Sequence, residues 1–260
     1  MDLTLIKAGG SCLESNLDNV AAKCLSLSQN KTLVVLGYSR LLRGICKNYQ
    51  INRPSFISAS GIESAFTNEL VLSASLIACC FQLEMFRTAL LKIKPELRIR
   101  TIVGADGLFY GSRKKNLKVK RGDKVFLFND DRSGKINRVD KEFLIKEFTE
   151  ADLVLVGPLL RGDNQELLVC DGDAASAHLA VELDLQNYTI LSDIDGLVAN
   201  GKVIDDVYLV DIAKLKSSAS GGMTKKLYYV EWALRHGVRE VCLSNGTIIS
   251  GSSQTRFLAI

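Results

Sequence analysis

Residues 167–196 read LLVCDGDAASAHLAVELDLQNYTILSDIDG. Asp171 and Asp173 flank Gly172, and an alanine-rich segment follows with apolar residues at Ala177, Ala180, Val181 and Leu185. This spacing predicts a helix with carboxylates at its first turn. Residues 188–191 then read as a short buried strand, and Ser192, Asp193, Asp195 and Gly196 gather where it must stop. In α/β sheets ligands collect at the loops beyond the carboxyl ends of strands, so both acidic clusters can face one site. Each also has a plain structural use: Asp171 as a helix cap, Asp193 with Asp195 as a turn.

Upstream, residues 3–6 form an apolar strand followed directly by Lys7, then Gly9, Gly10 and Ser11, with a helix predicted over 17–27. Strand, lysine, glycine pair and helix make a phosphate-site pattern, because glycines let backbone N–H groups approach an anion and lysine adds a charge. Neither GxxxxGK nor GxGxxG is present, and a turn alone also explains the pair. A second strand over 32–36 ends at Gly37, before Tyr38 and Ser39. The apolar run 70–83, bounded by Glu69 and Glu84, is too short to span a bilayer and predicts a buried helix starting near Thr67. Residues 98–103 and 153–156 read as strands.

Downstream, 207–215 is read as a helix, 217–222 (SSASGG) as a small-residue loop, and Met223 to Lys226 as the opening of a helix that closes at His236-Gly237. Residues 241–243 are read as the last strand. Alternating strands and helices predict a three-layer α/β/α sandwich with a mainly parallel central sheet. At 260 residues this is one domain, 1–260, with an N-terminal lobe of about 1–160 and a C-terminal lobe of about 161–260.

Apolar and charged contents of 47% and 24% place the chain among ordinary globular proteins. The opening residues, MDLTLIKAGG, have no basic region ahead of an apolar stretch and so carry no secretory pattern. Seven cysteines form no CxxC pair and none sits near a histidine in sequence, which points to reduced thiols in a cytoplasm. The net charge of +4 is uneven: Arg113, Lys114, Lys115, Lys118, Lys120, Arg121 and Lys124 face only Asp123. This alternating segment reads as an exposed hairpin that attracts acidic partners. It has no interleaved aromatic residues, which argues against nucleic acid.

KxGG at the first strand, a glycine turn at the second, DGD before a helix, SDxDG after the next strand and GGMxxK opening a late helix occur in one order. In that order and spacing the chain resembles the amino acid kinase family, in its acetylglutamate kinase branch. It is most similar there to the kinases of archaeal lysine and arginine biosynthesis that phosphorylate aminoadipate or glutamate held on a small acidic carrier protein. The resemblance implies transfer of the γ-phosphoryl group of ATP, with Mg2+, to a side-chain carboxylate. A carboxylate is already a nucleophile, so no general base is needed. It further implies Lys7 and Lys226 as the cations that stabilise the phosphoryl group, Asp173 as the carboxylate holding them, and Gly9 and Gly10 as backbone donors. Gly37, Ser192, Asp193, Asp195, Gly196, Gly222 and Met223 fall on the phosphate and nucleotide side. Tyr38, Ser39, Glu63, Val169, Asp171 and Lys135 fall on the acceptor side, and a homodimer is implied. Both lysines are expected to face the site rather than the core, so that alanine at either abolishes transfer with little loss of fold.

Three departures concern the acceptor. The family's second loop, HGGG, is here Leu36-Gly37-Tyr38-Ser39, which replaces two glycines with larger residues. The arginine that grips the substrate's α-carboxylate is replaced at the candidate positions by Glu63 and Ala65. The asparagine two residues before Asp171 is Val169. In the turn that reads YTGK in carrier-dependent members, Lys135 agrees, but Arg132 and Ser133 do not. These changes disfavour free N-acetylglutamate as substrate. They also admit an alternative, a catalytically impaired member acting as a nucleotide-binding or regulatory protein.

Overall fold

The computed structural model describes residues 2–57, 63–114, 117–121, 124–128, 130–199, 201–219, 221–247 and 253–259, with backbone alone at Ile57, Glu63, 117–121, 124–128 and Ala199. Strands β1 (Leu3–Ala8), β2 (Lys31–Leu36), β3 (Ile99–Val103), β4 (Leu153–Gly157), β5 (Asn187–Ser192), β6 (Asp206–Tyr208), β7 (Glu240–Asn245) and β8 (Gln254–Leu258) form one sheet. Its order is β6-β8-β7-β5-β1-β2-β4-β3, and every neighbouring pair is parallel except β7 with β8. Near-continuous apolar runs such as KTLVVL in β2 and LVLVG in β4 fit strands covered on both faces.

Helices α1 (Gly10–Ser15), α2 (Leu17–Leu27), α3 (Ser39–Asn48) and α4 (Glu69–Ile93) cover one face. Helices α5 (Lys141–Glu150), α6 (Gly172–Glu182), α7 (Leu209–Ser218) and α8 (Gly222–Arg235) cover the other. The strand period of two makes the layers visible in the core. Leu5, Leu33, Val35, Val154 and Val156 pack with residues of α5 to α8, whereas Ile6, Val34, Leu36, Leu153 and Leu155 pack with those of α1 to α4. The mainly parallel three-layer sandwich expected from the sequence is the one observed.

A four-stranded sheet of Phe109–Arg113, Gly134–Val139, Leu159–Arg161 and Leu167–Val169 flanks the main one. The basic segment forms the expected antiparallel hairpin, Leu117–Arg121 with Lys124–Phe128, its tip Gly122 and Asp123 lying outside the described residues. A second hairpin pairs Ser55–Ile57 with Glu63–Ala65.

Three sequence expectations change. The run 70–83 is helical as expected but buried on one face only, as part of the 25-residue α4, capped by Asn68, whose Oδ1 accepts the Val71 N–H at 2.9 Å. Apolar residues occur all round α4. Val71, Ala74, Ala78, Phe86 and Leu90 pack inward, while Leu70, Ile77 and Phe81 are 64%, 60% and 58% exposed. By length and composition α4 could also cross a membrane; its inner face instead packs against the sheet. Residues 206–208 are strand β6, pairing with β8, before α7 begins. The last strand is β8 rather than 241–243; the inner face of QTRFL carries polar Thr255 beside Phe257, so its sequence lacks the apolar alternation that would announce it.

Candidate active site

Lys7 lies inside β1 rather than after it, paired in register with Val35 on β2 and Ile190 on β5. It shares the strand face of Leu5, the face that α6 covers. Its Nζ is 2.6 Å from Asp173 Oδ1, with both side chains nearly buried. Asp171 is the N-cap of α6, and its Oδ1 accepts the Asp173 N–H at 2.8 Å. The cap therefore aims the neighbouring carboxylate, and Asp171 Oδ2 lies 3.6 Å from Lys225 Nζ. The expected helix-cap use of Asp171 is thus the one observed.

Burial alone would push the Lys7 ammonium down, but the Asp173 carboxylate outweighs it and raises the group above its usual value. Burial likewise opposes ionisation of Asp173, and Lys7 with Lys226 reverses this and holds the carboxyl below its usual range. Lys226, on α8, is pushed down first by repulsion from Lys7 and then by burial, with Asp173, Asp171 and Asp193 offsetting only part. Two lysines share one buried aspartate, with Asp171 and Asp193 acting on Lys226 as well, and paired ammonium groups of this kind suit phosphate oxygens.

The glycine donors are fewer than expected. The Gly9 N–H donates to Leu191 O at 2.9 Å and the Gly37 N–H to Ala8 O at 2.8 Å, so both are used in the sheet ladder. Gly10, at the start of α1, has an N–H without an acceptor among the described residues. The two loops press together: a Cβ on Gly37 would come 2.7 Å from Gly10 N, and one on Gly10 would come 3.0 Å from Ser39 Oγ. Tyr38 does not line an open acceptor face; it is 5% exposed in the core beneath α3, where burial raises its hydroxyl well above the usual value.

Around the end of β5, the Ser192 hydroxyl donates to Asp193 Oδ1 at 3.2 Å. Burial opposes ionisation of Asp193, but the Ser11 and Ser192 hydroxyls, a backbone N–H and the Lys226 charge hold it below its usual range. Asp195 accepts from Asn245 Nδ2 at 2.7 Å, and Asn245 Oδ1 in turn accepts the Thr247 N–H and hydroxyl. Gly196 has φ +153 and would place a Cβ 2.6 Å from Thr255 Oγ1, so only glycine fits there. Gly222 and Met223 begin α8, and Met223 packs against the core.

On the acceptor side Val169 donates its N–H to Arg132 O at 2.9 Å, and Arg132 donates its own to Thr67 O at 2.7 Å. The side chain of Glu63 lies outside the described residues. Lys135 is exposed on Gly134–Val139, and the group its charge acts on is His178, further along α6 than Asp173. Asp131, unnoticed in the sequence, is fully buried and accepts the Thr67 N–H at 2.7 Å, the Ser133 N–H at 3.0 Å and the Ser133 hydroxyl. Asn245 was also missed; only its place at a strand end could have flagged it. Among the described residues no cluster of three His, Cys, Asp or Glu could hold a metal.

The family model described as "Amino acid kinase family" matches residues 2–245. A LysW-aminoadipate/LysW-glutamate kinase of Sulfolobus acidocaldarius is 26% identical over 250 residues, 95% of this chain and 94% of its own. The kinase of the same name from Sulfurisphaera tokodaii is 26% identical over 98% of each chain. Among solved structures, N-acetylglutamate synthase from Neisseria gonorrhoeae superposes with a TM-score of 0.79 at 18% identity, covering 99% of this chain. The present chain spans only 61% of that synthase. Giardia carbamate kinase superposes at 0.69 with 15% identity over 98% of each chain. These superpositions speak for the fold, and the family match reaches from the first strand past the lysine of α8 to the end of β7, so the chain belongs to the amino acid kinase family.

Proposed function

We propose that this protein transfers the γ-phosphoryl group of ATP to a side-chain carboxylate of an amino-acid-type substrate held on an acidic carrier protein, forming an acyl phosphate. The observation that carries this reading is the buried Lys7–Asp173 pair with half-buried Lys226 acting on the same carboxylate. Two lysines there share one buried carboxylate, where a phosphoryl group in flight needs compensation. Lys7 and Lys226 contact the phosphoryl oxygens, and Asp173 keeps the lysines apart and charged. Gly10 supplies a backbone donor. Gly9 and Gly37 supply closeness of approach, and Ser192, Asp193, Asp195, Gly196, Gly222 and Met223 line the nucleotide side. Mg2+ would neutralise charge on the nucleotide phosphates and travel with them, since the described residues offer no ligand cluster of their own.

The relatives named for carrier-linked substrates support the choice of acceptor. The altered acceptor residues Tyr38, Ser39, Glu63 and Val169 speak against free N-acetylglutamate. The hairpin from Leu117 to Phe128, preceded by Arg113 and Lys114, suits an acidic carrier. The exposed apolar face of α4 suits a second copy of the chain, and seven free thiols suit a reducing cytoplasm. The test is ADP release with Mg-ATP over carrier-linked aminoadipate, carrier-linked glutamate and N-acetylglutamate. Turnover on a carrier-linked acceptor, lost in Lys226→Met and weakened by added salt, is the expected result. Nucleotide binding without turnover on any acceptor would replace this reading with a regulatory one.

A further inference from the structure

Helix α8 opens without a side-chain cap. Gly221, at φ +57, precedes it, and its first turn holds no acid. Lys225 and Lys226 then place two ammonium groups near the end of a helix whose backbone dipole already disfavours positive charge. Repulsion from Lys7 opposes Lys226 further. Lys226 makes no ion pair among the described residues, so where it stands depends on how the opening of α8 is seated.

Lys225 and Asp171 supply the seat. Asp171 Oδ2 lies 3.6 Å from Lys225 Nζ, with both side chains half-buried. The other oxygen, Oδ1, accepts the Asp173 N–H at 2.8 Å, and Asp173 Oδ1 lies 2.6 Å from Lys7 Nζ. One carboxylate therefore links the openings of α6 and α8 to the residue that faces Lys7. Two turns further along each helix, His178 of α6 and Trp232 of α8 pack with ring centroids 4.3 Å apart, so the helices run side by side in the same direction. Apolar contact seats the body of α8. Among the described residues Lys225 with Asp171 is the ion pair between the two helices, and it acts at the opening turn.

We infer that Lys225 is a positioning residue: through Asp171 it seats the first turn of α8 on the N-cap of α6, and so sets where Lys226 stands against Asp173 and the phosphoryl group. Lys225 itself does not touch that group. The inference rests on the kinase reading for the role of Lys226, but the coupling of Lys225 to Asp171 is measurable on nucleotide binding alone. Both residues hold the same two elements at the same point, so removing either charge should release the same turn.

The test compares the full chain with Lys225→Met, Asp171→Asn, their double variant and Lys225→Arg. Each is titrated calorimetrically with Mg-ATP in the absence of acceptor, and kcat and KM are measured on whichever acceptor the wild type turns over. Asparagine keeps a cap oxygen for the Asp173 N–H and removes only the charge. Lys225→Met should lower kcat roughly 10-fold with KM nearly unchanged, since a displaced cation costs the transition state more than the ground state. It should weaken Mg-ATP several-fold, and Lys225→Arg, which keeps the charge, should recover most of both losses. In the Asp171→Asn background, Lys225→Met should cost less than about twofold more. Losses that multiply in the double variant would make Lys225 a direct phosphate ligand and overturn the inference. A lower melting temperature with kcat and Mg-ATP affinity unchanged would make it merely structural and overturn it too. No ADP release from the wild type on any acceptor removes the kinase reading, and the cycle on Mg-ATP affinity then decides alone. A coupled loss there leaves Lys225 seating Lys226 at a nucleotide phosphate, and no loss overturns that role.

Discussion

Lys7 and Lys226 serve one centre but stand differently toward the fold. Lys7 is the partner of a buried carboxylate at 2.6 Å, so replacing it leaves Asp173 charged and poorly compensated. Breaking a buried pair from one side costs about 3–5 kcal/mol. The expectation that both lysines can be cut with little loss of fold is therefore predicted to survive for Lys226 alone. Lys226 sits in the repulsive field of Lys7, and its folded-state value below that of a free lysine means that at neutral pH its charge opposes folding. Lys7→Met should lower the melting temperature clearly, and Lys226→Met should keep or raise it, both abolishing phosphoryl transfer. Melting curves without nucleotide at pH 7 decide this, and equal losses for the two variants would remove the proposed asymmetry. The sequence marked both lysines by their glycine neighbours. It could not tell them apart, because the distinction lies in which one the N-cap of α6 aims Asp173 at. Asp131 and Asn245 escaped the reading for a related reason: each has a side-chain contact 50 or more residues away in sequence.

Two helices carry consequences that their patterns only partly announced. Between α6 and α8, the Trp232 ring packs against both histidines of the chain, tilted on His178 and stacked on His236, each with ring centroids 4.3 Å from it. Burial, with Lys135 and His236 adding positive charge nearby, lowers His178 to about 4. A depressed histidine means that the unfolded chain takes up a proton before the folded one does. Stability is therefore full above the usual value near 6.5 and falls as pH drops from there toward 4. The melting temperature should decline across that window, and His178→Gln should flatten the decline; an unchanged slope would place its cause elsewhere. On α4 the apolar stripe of Leu70, Ile77 and Phe81 recurs at helical spacing on the outer face. Composition told a helix but not two faces, since a run apolar at nearly every position has no preferred side. If a second copy covers this stripe, Phe81→Glu should yield monomers by sedimentation at micromolar concentration with the nucleotide affinity retained. A wild-type monomer would reject that assembly.

Across the whole molecule, the boundary near residue 160 expected from the sequence does not divide the main sheet into two sheets. Strands β1 to β4 come from one side of it and β5 to β8 from the other, and they meet where β1 pairs with β5. The register there runs Ile6 with Thr189, Lys7 with Ile190 and Ala8 with Leu191. Alternation of strands and helices made the layers legible, but strand order depends on pairing between residues some 180 positions apart, which no local pattern carries. The same seam bears the Lys7–Asp173 pair, so the proposed reactive centre and the join between halves are one structure. Separating the halves would expose the edges of β1 and β5 and strand a buried charge pair, both costly. The chain should accordingly unfold in one cooperative step rather than two. In urea, Trp232 fluorescence reports the C-terminal half and a dye on the exposed Cys80 reports the N-terminal half. Coincident midpoints are expected, moving together to higher urea when Mg-ADP binds. Separate midpoints, with only the Trp232 transition shifted by nucleotide, would show two independent lobes and a seam too weak to hold the lysine pair in place between turnovers.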